Sequence, residues 1–269
     1  MNILYFDCMS GISGDMVVGA LLDLGIDANT LARELYKVDL GRVYDIETQK
    51  VLKNGISATA FNIYGAKSSD RIYIEELAHI IADSDISPEA KRYALMILKK
   101  YANAYTNVYE TKPQDILLCG EKAIRTAVNI MSSALLLNML GVEAVISSPI
   151  TEGIGFAKTG RSMMRVPVPI VMEIMRLSGA PIEICQENTQ LITPTGAAIV
   201  CACTRRFDKM PSMTISSAGF GAGLKELDGR ANVLRAVLGR NEELYFEESL
   251  FTTDVQHQGE MRGFLTSCK

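Results

Sequence analysis

Tyr44-Asp-Ile-Glu-Thr-Gln-Lys-Val-Leu-Lys-Asn-Gly-Ile-Ser-Ala-Thr-Ala-Phe-Asn-Ile-Tyr64 is the stretch on which the fold turns. Tyr44, Ile46 and Thr48 alternate with Asp45, Glu47 and Gln49, the two-residue period of a strand with one face on a core and one in water. Asn54-Gly55 supplies the pair of positive-φ residues that a type I′ turn demands, and Ile56–Tyr64 returns as a second strand. A hairpin here argues against a purely parallel sheet.

On its N-terminal side, residues 2–6 form a short β-prone run, followed by a turn rich in glycine and serine. Val17, Ala20, Leu21 and Leu24 fall at i, i+3, i+4 and i+7, one apolar stripe that predicts a helix, and Gly25 is its natural stop. Residues 29–38 predict a second helix. From Arg71 onward the period lengthens again. Ile74, Leu77, Ala78 and Ile81 mark one helix; Ser87-Pro88-Glu89 supplies a cap, a first-turn proline and an acid for the next. The apolar stripe of that next helix runs Ala94, Ile97, Leu98, Tyr101, Ala104, Tyr105 and Val108. Residues 122–140 predict a third helix, 143–148 a buried strand, and 153–160 read as a glycine-rich stretch. Val166-Pro-Val-Pro169 leads into a helix ending near Gly179, and Thr193-Pro194-Thr195-Gly196 opens another that runs to about Ala202. Residues 213–218 and 233–238 predict two late strands. The expected class is α+β: a mixed, mainly antiparallel sheet with packed helices.

Composition narrows the function. The 269 residues are 48% hydrophobic and 22% charged, as in ordinary globular proteins. A formal charge of −4 offers no basic field for nucleic acid, and 7% aromatics without tryptophan offer no base-stacking platform. The most apolar long stretch, residues 127–148, is interrupted by Asn129, Ser132, Ser133, Asn138 and Glu143, which suits a buried helix and strand rather than a membrane span. The N-terminus lacks a basic start and carries Asp7 in its first apolar run, so no signal peptide is expected. Six cysteines show no Cys-x-x-Cys pair, and reduced thiols in a cytoplasmic protein are the simple expectation. Only two histidines occur, His79 and His257, which nearly excludes chemistry built on imidazole clusters.

Two motifs carry chemistry. Asp7-Cys8-Met9-Ser10-Gly11-Ile12-Ser13-Gly14-Asp15-Met16 lies between a strand and a helix N-terminus. Glycines let the backbone approach a ligand, free amides and the helix dipole favour an anion, and Asp7 with Asp15 can hold Mg²⁺ or Mn²⁺ bridging to a phosphate. The bland alternative is a capped helix. Thr193-Pro194-Thr195-Gly196 offers hydroxyls and amides at a second helix start, where N-capping is the better reading on spacing alone. Cys201 and Cys203 read as buried, inert thiols.

Phe6-Asp7-Cys8, Gly11-Ile-Ser-Gly-Asp-Met16, Lys53-Asn-Gly-Ile-Ser57, Pro167-Val-Pro169, Leu191-Ile-Thr-Pro-Thr-Gly-Ala-Ala198 and Asn232-Val-Leu-Arg235 stand in one order and spacing. In this the chain resembles the nickel insertion proteins of the lactate-racemase cofactor pathway (LarC), from Met1 to about Gly239. The resemblance implies CTP-dependent insertion of nickel into pyridinium-3,5-bisthiocarboxylic acid mononucleotide, with one carbon–metal and two sulfur–metal bonds formed. It implies Asp7 and Asp15 as acidic catalytic and metal-site residues; Cys119, where the family pattern has a histidine, offers a thiol that can replace one donor. It implies Gly11, Ser13, Gly14, Thr193, Thr195 and Gly196 as phosphate or nucleotide contacts. Residues 1–240 correspond to the family's N-terminal region, with a helical subdomain near 71–141, and 241–269 form a C-terminal tail. Mg²⁺ or Mn²⁺ with CTP requires a separate C-terminal domain, so the implied partners are a nucleotide-like small molecule and a C-terminal family chain or an intact homologue, with neither nucleic acid nor membrane.

The pattern also departs from that family. Its His-x-His-Glu-x-Gly-Ala-x-Asp-Ser run is represented by Leu117, Leu118, Cys119, Gly120, Glu121, Lys122, Ala123, Ile124, Arg125 and Thr126, and a following aspartate by Asn129. The histidine-rich stretch after the hairpin is represented by residues 65–71, a histidine at the end of the long helix by Tyr109, and a later His-Gly by Arg161-Ser162. Nickel(II) prefers imidazole, carboxylate and thiolate donors, and Arg125 sets a fixed positive charge where an acid would attract the metal. A second reading follows: a diverged paralogue that binds a nucleotide, an anion or an intact homologue, without nickel chemistry.

Overall fold

The computed structural model describes residues 1–41, 43–159 and 162–241. Its first strand, β1 (Asn2–Asp7), is buried along most of its length and leads through the Gly/Ser loop into α1 (Gly14–Asp23). Ser13 caps α1 by accepting from the Met16 amide at 3.2 Å, and Gly25 follows at φ +117°. α2 (Ala28–Leu35) is capped by Asp27. The hairpin read from alternation forms as β2 (Asp45–Lys53) and β3 (Ile56–Tyr64), with Asn54 at φ 44° and Gly55 at φ 81° in its turn.

After the hairpin, Arg71–Tyr73 is a short strand, β4, and α3 (Ile74–Asp83) begins directly behind it. Ser87 caps α4 (Pro88–Tyr109). The three residues of β5 (Leu117–Cys119) pair antiparallel with β4, which explains why Arg71 is extended: its partner lies far along the chain. α5 (Glu121–Met139) and β6 (Ala144–Ser147) are buried on nearly every side. The stretch read only as glycine-rich contains β7 (Ile150–Glu152) and the antiparallel pair β8 (Phe156–Thr159) and β9 (Ser162–Arg165). α6 (Pro169–Ser178) ends at Gly179, φ 58°. It is followed by β10 (Ile182–Ile184), α7 (Pro194–Cys203), β11 (Thr204–Phe207), β12 (Thr214–Ala222) and β13 (Val233–Arg240).

Seven strands form one mixed sheet in the order β11-β6-β1-β13-β12-β3-β2. Antiparallel joins, β1 with β13, β13 with β12 and β3 with β2, carry the longer registers; β11, β6 and β1 run parallel to one another. The fold is α+β, as the hairpin and the late strand pair imply.

α1 lies on this sheet at backbone distance. A Cβ at Gly19 would collide with the Thr59 carbonyl of β3, one at Gly219 with the Ala20 carbonyl, and one at Gly221 with the Met16 carbonyl. Glycine is required at this crossing because the space that a side chain would fill is already occupied by helix or strand backbone. At the end of the helix, Asp23 accepts from Thr59 Oγ1 at 2.7 Å and the Phe220 amide at 2.9 Å, and pairs with Lys50. Burial raises its carboxyl, but the bonds from Lys50, Phe220 and Thr59 prevail and hold it below its usual value. Overpacking this crossing costs on the order of 1–3 kcal/mol, so Gly221→Ala is expected to lower stability by about 3 kcal/mol, read as a reduced midpoint in urea unfolding at unchanged slope.

A second clamp joins the loop after β1 to the segment ahead of α7. Glu152, fully buried at the end of β7, accepts from the amides of Leu191 at 2.5 Å, Gly153 at 2.9 Å and Ile192 at 3.2 Å, all on one oxygen. Its other oxygen, Oε2, has no hydrogen-bond partner. Burial pushes its carboxyl up, more than the amides of Leu191, Gly153 and Ile192 and the charge of Lys225 pull it down. An acid raised by folding binds its proton more tightly in the native state, so stability falls as pH rises through its folded pKa. Glu152→Gln has no proton to lose. It is expected to gain stability relative to the parent chain as pH rises from the ordinary carboxylate range upward, measured by urea unfolding at a series of pH values.

Candidate functional site

The two motifs converge. The Ile12 amide donates to the Leu191 carbonyl at 3.0 Å and the Thr193 amide to the Ile12 carbonyl at 2.9 Å, a parallel bridge between the loops that open α1 and α7. Gly196 brings the two helix starts into contact: a Cβ there would stand 2.7 Å from the Ser13 Cα and 2.8 Å from the Ile12 carbonyl oxygen. Gly14 admits α5 equally closely, since a Cβ there would stand 2.7 Å from Asn129 Nδ2. Gly11, at φ +82°, turns the first loop against Leu191. Both helix starts are capped internally, by Ser13 on the Met16 amide and by Thr193 on the Gly196 amide at 3.1 Å. The capping roles are therefore met, and both helix starts still border one space.

That space is a cavity of about 380 Å³. Ser13, Gly14, Asp15, Cys119, Thr193 and Thr195 line it, whereas Gly11 and Gly196 shape it from behind. Asp7 does not line it: at the end of β1 it pairs with Arg235 on the neighbouring β13. Asp15, only 9% exposed, has both oxygens engaged: Oδ2 accepts from Arg125 Nη2 at 2.6 Å and Oδ1 from Asn129 Nδ2 at 3.0 Å. Asn129 Oδ1, also buried, has no partner. The hydroxyls of Thr126 and Thr195 meet at 3.3 Å across α5 and α7. Lys122 and Lys158 add two further cations, and among the described residues Asp15 is the sole carboxylate in the lining.

This set suits an anion. It does not fit a preformed nickel centre among the described residues. Nickel would need several imidazole, carboxylate or thiolate donors, and the cavity offers one carboxylate already bound to a guanidinium and one exposed thiol, Cys119. Among the described residues no group of three or more His, Cys, Asp and Glu is arranged to hold a metal ion. His79 is half-buried on α3 outside this cavity, and His257 lies outside the described residues. Cys8 and Cys201 are buried, which pushes each thiol up to about 12, and burial raises Cys203 as well; these are inert thiols of the core.

Several lining residues carry no sequence motif. Lys158 sits in β8 with nothing in its surroundings along the chain to mark it, and Lys122, in α5, lies within the run 117–126, where no motif assigns it a role. Tyr101, Tyr105 and Tyr109 line one wall from α4. The first two read as members of an apolar stripe, and their four-residue spacing was the available signal for a shared face. Arg125 stood out only as a charge; its partner Asp15 is brought to it by the packing of α1 on α5.

No described helix is long and apolar enough to cross a membrane. No solved structure matches the chain significantly. A family model described as nickel insertion protein matches residues 4–262. A pyridinium-3,5-bisthiocarboxylic acid mononucleotide nickel insertion protein of Acetivibrio thermocellus is 36% identical over 252 residues, which cover 90% of this chain and 61% of the relative. One of Desulfitobacterium hafniense is 36% identical over 239 residues, covering 89% and 58%. A putative nickel insertion protein of Geotalea uraniireducens is 31% identical over 269 residues, covering 98% and 68%. The chain spans about three fifths of the length of the first two relatives. With the family pattern matched over nearly its whole length, this chain belongs to the nickel insertion protein family.

Proposed function

We propose that the chain takes part in nickel insertion by holding the pyridinium mononucleotide, the compound for which its relatives are named, in the cavity between the starts of α1 and α7. One observation carries this reading: two helix N-termini, Arg125, Lys122 and Lys158 surround a space with one carboxylate, itself neutralised. Such a space attracts phosphate and carboxylate groups through amides, hydroxyls and cations together. Ser13, Gly14, Thr193 and Thr195 are its polar contacts, and Asp15 orients Arg125 in it. Nickel is the cargo of the reaction; CTP with Mg²⁺ or Mn²⁺ belongs to the part of the relatives that this chain does not span, whether in the same polypeptide or in a partner chain, and Asp15 and Cys119 are the donors that this chain brings to the cavity.

A second reading has its own observation. The Arg125 guanidinium occupies both the position and the partner that a cation on Asp15 would have. This favours a binding paralogue that keeps the anion site without nickel chemistry.

Calorimetric titration with nicotinate mononucleotide, a pyridinium carrying a carboxylate and a phosphate, tests the shared part. Binding is expected to weaken about tenfold or more in Lys122→Ala, Lys158→Ala and to weaken with added salt. Absence of binding, or binding indifferent to both lysines, overturns the site. Titration with Ni²⁺ then separates the readings. Nickel heat lost in Asp15→Asn or Cys119→Ser supports insertion chemistry in this chain, whereas nucleotide binding without nickel heat supports the paralogue.

A further inference from the structure

One wall of the cavity is aromatic rather than charged. Tyr101, Tyr105 and Tyr109 descend one face of α4, with ring centroids 5.0 Å apart and 26° between planes for the first pair, and 5.4 Å and 49° for the second. Tyr101 is 4% exposed and Tyr109 45% exposed, so the ladder climbs from the cavity floor to its mouth. A packing role explains Tyr101, which is buried in the core. Tyr105 is half-buried and packs partly on the core, Tyr109 is exposed, and both also present their rings to the cavity.

We infer that Tyr105 and Tyr109 seat the ring of the ligand and select an electron-poor, positively charged heteroaromatic, while Arg125, Lys122 and Lys158 hold its acidic groups. The inference rests on the nucleotide reading above and extends it to specificity. The face of a phenol ring carries negative potential, so a cationic ring gains both stacking and cation–π attraction there, and a neutral, puckered ring gains neither in full. The wall that takes the positive ring and the groups that take the negative substituents lie on different elements, α4 against α5, β8 and the α7 start. Such a division matches a ligand that is cationic at its ring and anionic at its substituents.

The test compares nicotinate mononucleotide, its ring-reduced dihydro form and ribose 5-phosphate. The chain contains ten tyrosines and no tryptophan, so quenching of tyrosine emission that is lost in the variant lacking Tyr105 and Tyr109 reports ring contact at those two. The cationic nucleotide is expected to bind at least about tenfold tighter than either of the others and to quench that emission. A Tyr105→Leu, Tyr109→Leu variant should bring the three affinities together without changing that for ribose 5-phosphate, and Tyr105→Phe, Tyr109→Phe should retain the preference. Equal binding of all three by the parent chain, or a preference that survives in the leucine variant, overturns the seat while leaving the anion site standing. Binding of none of the three overturns both.

Discussion

The site depends on one constraint, the contact of backbone with backbone where α1 crosses the sheet. Gly19, Gly219 and Gly221 let the helix lie against β3 and β12 with no side-chain layer between them. Asp23 then ties the helix end to both strands through Thr59 and Phe220. A helix held this closely cannot slide or roll by the ångström that would misplace its first turn. Ser13 and Asp15, at the opposite end, inherit that precision. Gly196 repeats the device on the other side, setting α7 against the same loop, and Glu152 gathers three amides to keep the connecting segment in place.

Given that frame, the character of the cavity follows from three side chains of α5. Arg125 and Asn129 both turn to Asp15, so the carboxylate is satisfied from within the protein and its charge is spent on a fixed guanidinium. Lys122, on the same helix, leaves the space with an excess of positive charge. Carboxylates at 125 and 129 would make the same three positions an acidic cluster suited to a divalent cation. The difference between a metal site and an anion site thus lies in two side chains on an otherwise unchanged backbone. Sequence similarity therefore identifies the family of this chain, and the side chains at these positions decide its chemistry.

Much of the architecture could be read from local patterns. The alternation around Asn54-Gly55, the capped start at Ser87-Pro88, and the apolar stripe through Leu21 all reflect interactions within a few residues of one another, which periodicity records directly. The elements that escaped are those whose partners are distant. β4 is extended because it pairs with β5, and β7 because it pairs with β10; neither has enough alternation of its own to be seen. The candidate site divides in the same way. Ser13, Gly14, Asp15, Thr193 and Thr195 are legible because they sit at helix starts with recognisable caps, whereas Lys122, Lys158 and the outward-facing tyrosines are ordinary residues of ordinary elements.

What the sequence determined by itself is the class of fold, the two glycine-bearing helix starts and the shortage of histidine, since each follows from residue type and short-range spacing. The tertiary structure alone decided that the two helix starts share one cavity, that Asp7 faces Arg235 instead, and that Arg125 is the partner of Asp15. These are contacts between residues more than a hundred positions apart. Only the sheet order and the close seating of α1, which no local pattern encodes, bring them within reach.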